Sequence, residues 1–507
     1  MPRIALTGGA YQAASLSAGR QRRVNLFPED SPARSGEPNR VTHYPTPGLV
    51  TLVTLPTMPV RGIYAASNGD LYAVGGARLY CVSADWAATF IATLTTASGP
   101  VSMSDNTLTM VVVDGSARVN DPYSYAGGIR VDLATRTPQP MPIEDAGFYG
   151  STRVDYLATF FLFNRPGTSI AYTSEGLSPH PASTNGDEFH PVDFSESDFG
   201  DDFRTSAMVI DFSGDAFIGK MGSQDRLVAA VATAGHVLMI GTHTSEPWAL
   251  TIAPDLPTPF QPMGGAIIEH GCAAAASIAK ADGTVFMLSQ NRQGRGVVMQ
   301  VAGGQAKRIS THAIEDALLG YDLAAARGYS YQVRGHTFYV LCFPVATWVY
   351  DLATEEWHQW MWLDDAGVER PHRSACFALA YGKLIVGDRE TGALHELRLG
   401  ADDAGRPIRR ICSFPHVVDQ GNRISYSRFI ADMDAGAAGA VSLRYSDDRG
   451  RTFGTPLTQA LNGSGSLTNL QFRRLGLARD RVFELSWDAP GIIAINGAFI
   501  EVQESET

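Results

Sequence analysis

The stretch RYSDDRGRTF, residues 444–453, holds Ser446, Asp448, Gly450, Thr452 and Phe453 in the order SxDxGxTF, the Asp-box pattern. The chemistry it brings to mind is glycoside cleavage. That reaction needs a pair of carboxyl groups flanking the scissile bond, or a tyrosine nucleophile with a glutamate partner. The box supplies neither. Its serine and aspartate are of the type that bond backbone groups inside a hairpin turn, its glycine takes dihedrals other residues avoid, and its phenylalanine is expected to pin the turn to a core. The box therefore reads as a structural turn.

A sialidase would further need an arginine cluster for the substrate carboxylate and, as a rule, several boxes, so a sialidase-like propeller glycosidase is kept only as the alternative. Other patterns fall short in their own ways. GDAFIGKM, residues 214–221, nearly spells a phosphate-binding loop, but Met221 stands where a hydroxyl should hold magnesium and the loop interior is bulky. DEFHPVDFSESDFGDD, residues 187–202, gathers seven acidic residues without the ligand order of a calcium loop and reads as an exposed insertion. His236 and His336 follow a glycine at the start of two similar segments and read as braces between strands. Trp348, Trp357, Trp360 and Trp362 are assigned to seams between sheets rather than to sugar stacking. There is no CxxC or HExxH motif, and the expectation is no metal, no cofactor and no catalysis.

Elements that could position such residues are almost all strands. The chain has 507 residues, 44% of them hydrophobic and 18% charged, a globular composition large enough for several cores. Its formal net charge of −12 argues against a broad basic face gripping nucleic acid. Cys81, Cys272, Cys342, Cys376 and Cys412 are widely spaced and odd in number, and read as buried free thiols of a reducing compartment. No apolar run approaches the ~18 residues of a membrane span, and the start lacks the apolar core of a secretion signal.

From residue 60 to 400 short β runs alternate with Gly, Asn and Asp. Gly235, Gly283, Gly335 and Gly382 open similar segments 48, 52 and 47 residues apart, close to one four-stranded propeller blade of about 40–50 residues. The fold expected is all-β: a propeller of about seven blades over residues 61–400, an N-terminal arm over 1–60, and a C-terminal β-sandwich over 401–507. A ring suits such sheets because closure buries both apolar faces of each. One helix is expected in STHAIEDALLGY, capped by Thr311, with Ala313, Ile314, Ala317 and Leu318 on one face.

Several stretches, in order along the chain, resemble the packaged-DNA stabilisation proteins that form the tail hub, or nozzle, of short-tailed bacteriophages. They include AYQAASLSAGRQRRVNLFPE near the start, GSTRVDYLATFFLFNRPGT from Gly150, HGCAAAASIAKADGTVFMLSQNRQGRG from His270, RGHTFYVLCFPVATWVYDLATEEWHQW from Arg334 and YGKLIVGDRETGALHEL from Tyr381. The resemblance implies a virion protein, made in the host cytoplasm, that assembles as a ring, a hexamer, beneath the portal and its head-to-tail adaptor. It would help retain packaged DNA, form part of the ejection channel, and anchor tail fibres, spikes or a tail needle. DNA would pass without sequence-specific binding, and net acidity would let phosphates slide by without sticking. No catalytic residues carry over. The basic cluster Arg20, Arg22 and Arg23 is the candidate for docking on an acidic adaptor surface.

Overall fold

The computed structural model describes residues 3–5, 21–30, 41–117, 127–141, 148–174, 217–220, 222–223, 225–251, 260–264, 266–290, 296–419, 421–463, 467–489 and 491–504. Among them strand dominates, and the one α-helix, α1 (His312–Leu318), begins where expected. Thr311 caps it by accepting from the Ile314 N–H, and Ile314 and Leu318 face the core.

Seven four-stranded antiparallel sheets follow one another, spanning residues 60–93, 102–140, 154–219, 227–262, 279–308, 327–363 and 374–398. The last takes its fourth strand, Gly48–Thr54, from the N-terminal side of the first sheet. The repeating glycines sit where the first strand of a sheet turns into the second. Asp282–Gly283, Arg334–Gly335 and Tyr381–Gly382 each carry two consecutive positive φ angles, of +50 and +72°, +52 and +81°, and +53 and +71°. Such two-residue turns match the twist of the strands they join. The third sheet makes the same turn with Ala158 and Thr159, φ +48 and +83°, so its repeat lacks the glycine marker.

Continuous apolar runs in the inner strands follow from burial on both faces. In Leu71–Gly75, Leu71 and Ala73 pack against Ala378, Ala380 and Ile385 of the seventh sheet, while Tyr72 and Val74 pack against Met110 and Val112 of the second. In the sixth sheet, Tyr339 and Leu341 meet Phe286 and Leu288 of the fifth, and Phe338 and Val340 join Val386 of the seventh. Apolar clusters likewise fill the seams between the second and third, third and fourth, and fourth and fifth sheets. Every sheet thus packs on the next and the seventh on the first, an all-β, propeller-like arrangement.

The remaining strands form two sheets that share one core. One contains Leu26–Asp30, Val41–Pro45, Ile493–Glu504, Ile424–Ala435 and Leu467–Ala478; the other contains Arg410–Ser413, Asp480–Trp487, Gly439–Ser446 and Leu457–Leu461. Leu26, Phe429, Phe472, Phe483, Leu485 and Trp487 meet between them.

Within the expected arm, residues 1–60, the described stretches Arg3–Ala5, Arg23–Val24, Leu26–Asp30, Val41–Pro45 and Gly48–Thr54 are strands within the sheets described above. Arg23–Val24 runs parallel to the outer strand of the sixth sheet, Val24 opposite Gln359, and antiparallel to Arg410–Ser413. It therefore continues the sixth sheet into a C-terminal one. Next to it, buried Asn25 adopts φ +54°. Its Nδ2 donates to the carbonyls of Met361 (3.0 Å) and Arg409 (2.8 Å), and its Oδ1 accepts the Met361 N–H (3.1 Å). An isolated strand pair would offer too little buried surface to fix this stretch, and the sheets on either side supply it.

Candidate functional site

The Asp box joins Gly439–Ser446 to Leu457–Leu461 in one of the C-terminal sheets. Ser446 Oγ donates to Asp448 Oδ1 (2.6 Å) and accepts the Gly450 N–H (2.7 Å). Asp448 in turn accepts the backbone N–H (2.9 Å) and hydroxyl (2.6 Å) of Thr452. These bonds hold the Asp448 carboxyl well below the usual carboxylate range, with the Ser446 hydroxyl the largest cause. Gly450 takes φ +84°. Phe453 does not reach the core; it is half-buried under the Arg444 guanidinium, 4.6 Å from its ring centroid. The side chain that does anchor the segment is Asp447, which pairs with Arg481 (2.5 and 2.7 Å), itself stacked on Tyr426 and Tyr445. Burial pushes the Tyr426 hydroxyl up, and it donates to the Val417 carbonyl, the opposite of an activated nucleophile. Gly450→Ala is expected to cost about 1–2 kcal/mol, because a Cβ is strained at this φ; an unchanged urea midpoint would remove the turn from the stability of this sheet.

Of the proposed docking arginines, Arg23 is placed differently from the expectation. Arg20 lies outside the described residues. Arg22 pairs with Glu369 (2.8 Å). Arg23 is 1% exposed, its Nε donating to His43 Nε2 (3.0 Å) and its Nη1 to the Ser413 carbonyl. His43 is held well below its usual range by burial and by Arg23, and so stays neutral and able to accept. Arg23 is therefore corrected from a docking residue to an internal one, because strand pairing carries it between two sheets.

The acidic segment 187–202 and residues 214–216 and 221 of the loop 214–221 lie outside the described residues. Lys220 of that loop is buried beside Asp225, Thr244 and Glu246, so its ammonium is already neutralised. His336 braces its sheet through Asp351 (2.7 Å), whereas His236 bonds only the Ala234 carbonyl of its own turn. Trp348 and Trp357 fill the seam between the fifth and sixth sheets, and Trp360 the next one. Trp362 lies between Arg373 and Arg406.

A Ser–His pair that sequence reasoning missed sits between the sixth and seventh sheets. His372 Nδ1 and Ser374 Oγ share a hydrogen bond of 2.7 Å, and Ser374 Oγ shares another with the Tyr329 hydroxyl. Such pairs can make nucleophiles, but both residues are buried, and burial lowers His372 to about 3. Nearby, Asp388 is fully buried and receives Arg373 Nη2 (2.6 Å), His395 Nε2 (3.3 Å) and the N–H groups of Glu390 and Thr391. Asp403 has the opposite fate. It is 4% exposed, its Oδ1 has no hydrogen-bond partner, and burial raises it to about 6 despite Arg373, His395 and Arg406.

In an unfolded chain an aspartate titrates near 3.9, so between about pH 4 and 6 the folded state holds a proton that the unfolded state lacks. The contribution of Asp403 to stability is then present below pH 4 and lost as pH rises through 6. Asp403→Asn is expected to stabilise by about 2 kcal/mol at pH 7.5 and by little at pH 4. Thermal melts across that range decide it, and a gain independent of pH counts against the assignment.

A further gathering of charge lies where the sheets meet. A cavity of about 130 Å³ is lined by Arg61, Arg153 and Arg327. Its wall draws on the first strands, or the residues just before them, of the first, second, third, fifth, sixth and seventh sheets. A space touched by six of seven sheets in a ring lies on the ring axis. Arg61 is locked: its guanidinium donates to the carbonyls of Gly76, Thr96, Ser98 and Gly99 and to Thr96 Oγ1, at 2.6–2.8 Å. Glycosidase chemistry would need acid residues or a tyrosine here, and among the described residues the wall has neither. Its thiol, Cys376, is pushed up to about 12 by burial and stays protonated. The arrangement can bind and hold charge; it has no group poised to transfer a proton or attack.

Residues 219–400 match the family model described as Bacteriophage P22 Gp10, beta-propeller. The match covers about a third of the chain and takes in the end of the third sheet and the fourth to seventh sheets. No curated protein matches the chain. Among solved structures, the extracellular domain of a hybrid two-component system from B. thetaiotaomicron is similar with a TM-score of 0.42 and 9% identity, over 86% of this chain and 60% of that one. A second such domain from the same organism has a TM-score of 0.41 and 9% identity, over 84% and 48%. A gluconolactonase from Xanthomonas campestris has a TM-score of 0.34 and 10% identity, over 75% and 97%. The chain thus spans about half to three-fifths of the length of the first two. Among the described residues no helix is long and apolar enough to cross a membrane.

Proposed function

We propose that this protein is a non-enzymatic structural component of a short-tailed phage tail: a hub or nozzle subunit that assembles as a ring, a hexamer, below the portal and adaptor. There it helps retain packaged DNA, forms part of the ejection channel, and offers attachment for fibres, spikes or a needle. The seven sheets are read as the blades of a closed propeller and the paired C-terminal sheets as a sandwich. The observation that carries the proposal is the family match over residues 219–400. The tight seams support it, since a body that transmits force during ejection benefits from a core distributed around a ring. The acidic balance of −12 supports a channel wall that DNA passes without being held.

In this reading contact with the adaptor falls to surfaces other than Arg23. The experiment is electron microscopy of virions carrying a tagged copy of this chain. Label in a ring at the tail below the adaptor is expected. Label elsewhere, or turnover of a fluorogenic glycoside panel abolished by a point substitution, overturns the reading in favour of the glycosidase alternative.

A further inference from the structure

We propose that the axial cavity is an anion site that takes one small oxyanion of the phosphate class, gripped by Arg153 and Arg327, with Arg61 as fixed positive charge in its wall. Three arginines line one space, and the charge of Arg327 acts on Arg61; like charges at close quarters in a partly dehydrated setting are costly unless something negative joins them. Asp155 and Asp114 act on Arg153 and Arg61 through charge but accept their hydrogen bonds from other groups. Asp155, beside Arg153, receives Lys280 Nζ (2.7 and 3.0 Å) and the Ala232 N–H (3.1 Å). Asp114, behind Arg61, receives Thr96 and Ser116.

The two remaining arginines have donors to spare. Arg153 Nη1 reaches the Ile278 carbonyl at 3.3 Å, while its buried Nε has no partner. The half-buried Arg327 side chain makes no hydrogen bond or ion pair among the described residues. A guanidinium presents a planar fork suited to the oxygens of phosphate or carboxylate. Ser102 and Thr152 also line the space, but their hydroxyls already donate, to the Val154 carbonyl (3.2 Å) and to Asn164 Oδ1 (3.1 Å), so donation to the anion falls to the Arg153 and Arg327 guanidiniums. A cavity of about 130 Å³ has room for several waters, which fits a phosphate and excludes a duplex. This site is independent of the tail assignment, since it rests only on the chain's own axis.

The test is titration of the full chain with inorganic phosphate, followed by calorimetry and by thermal melting, with sodium chloride and acetate at matched ionic strength as controls. One phosphate per chain and a saturable rise in Tm of a few degrees are expected, larger than either control produces. Arg327→Gln, chosen because this side chain makes no hydrogen bond or ion pair among the described residues, is expected to weaken binding about tenfold or more. Arg327→Lys, which keeps the charge but loses the fork, serves if the glutamine variant does not fold and is expected to bind more weakly than the parent. An oligonucleotide arm separates sources: competition for the site means a backbone phosphate can enter, and none means the ligand is free phosphate. Heat and Tm shifts equal to those of chloride, or full binding retained in the Arg327 variants, overturn the proposal.

Discussion

Asn25→Ala is expected to destabilise the protein by about 3–5 kcal/mol and to loosen the C-terminal sheets from the sixth sheet of the ring. Two buried backbone groups, the N–H and carbonyl of Met361, and the part-buried carbonyl of Arg409 lose a side-chain partner. Each buried polar group left unsatisfied costs about 1–3 kcal/mol, and alanine tolerates the left-handed backbone at this position less well than asparagine, by about 1 kcal/mol. Asn25→Gly separates the two contributions. It restores the backbone preference but not the hydrogen bonds, and is expected to recover only the smaller part. Denaturant unfolding gives the magnitude, and hydrogen exchange gives the location. Protection of the Met361 amide and its neighbours should fall first. If exchange there is unchanged in a stably folded Asn25→Ala protein, the stitch formed by residues 23–25 does not couple the two bodies.

Asp388→Ala is the second large effect, also about 3–5 kcal/mol at neutral pH, the usual result of removing one partner of a buried ion pair. It strands Arg373, whose Nε already lacks a partner, and leaves the N–H groups of Glu390 and Thr391 without their carboxylate. The pH dependence has the opposite sign to that of Asp403. Hydrogen bonds from His395 and backbone and the charge of Arg373, outweighing burial, hold Asp388 below its ordinary value. Its stabilisation is therefore complete above about pH 4, the unfolded value, and drains away as pH falls through the folded one. The wild type should lose stability steeply in acid and the Asp388→Ala protein should not. Parallel stability curves for the two proteins between pH 5 and 2 would show that Asp388 is not the group responsible.

These two residues lie within 15 residues of each other in sequence, Asp388 and Asp403, yet burial and partners push their protons in opposite directions. Sequence alone has no means of telling them apart, since both are aspartates in polar stretches of sequence. The same holds for the docking cluster. A run of three arginines near a chain start reads as a solvated or partner-binding patch, and only strand pairing on both sides turns Arg23 inward.

What sequence determined by itself is local and repetitive. The X–Gly turns at 283, 335 and 382 dictate tight hairpins because few residues other than glycine accept such φ values, and the runs between them dictate strands buried on both faces. The box at 446–453 likewise closes its own turn through bonds no more than four residues long. What tertiary structure alone decided is everything that depends on ring closure. Residues 48–54 complete a sheet begined by residues 374–398, Arg23–Val24 joins strands hundreds of residues away, and Arg61, Arg153 and Arg327 come to one cavity. The physical reason is that alternation and turn chemistry specify which way a side chain points within its strand, whereas which strands become neighbours is settled by the mutual burial of whole sheets.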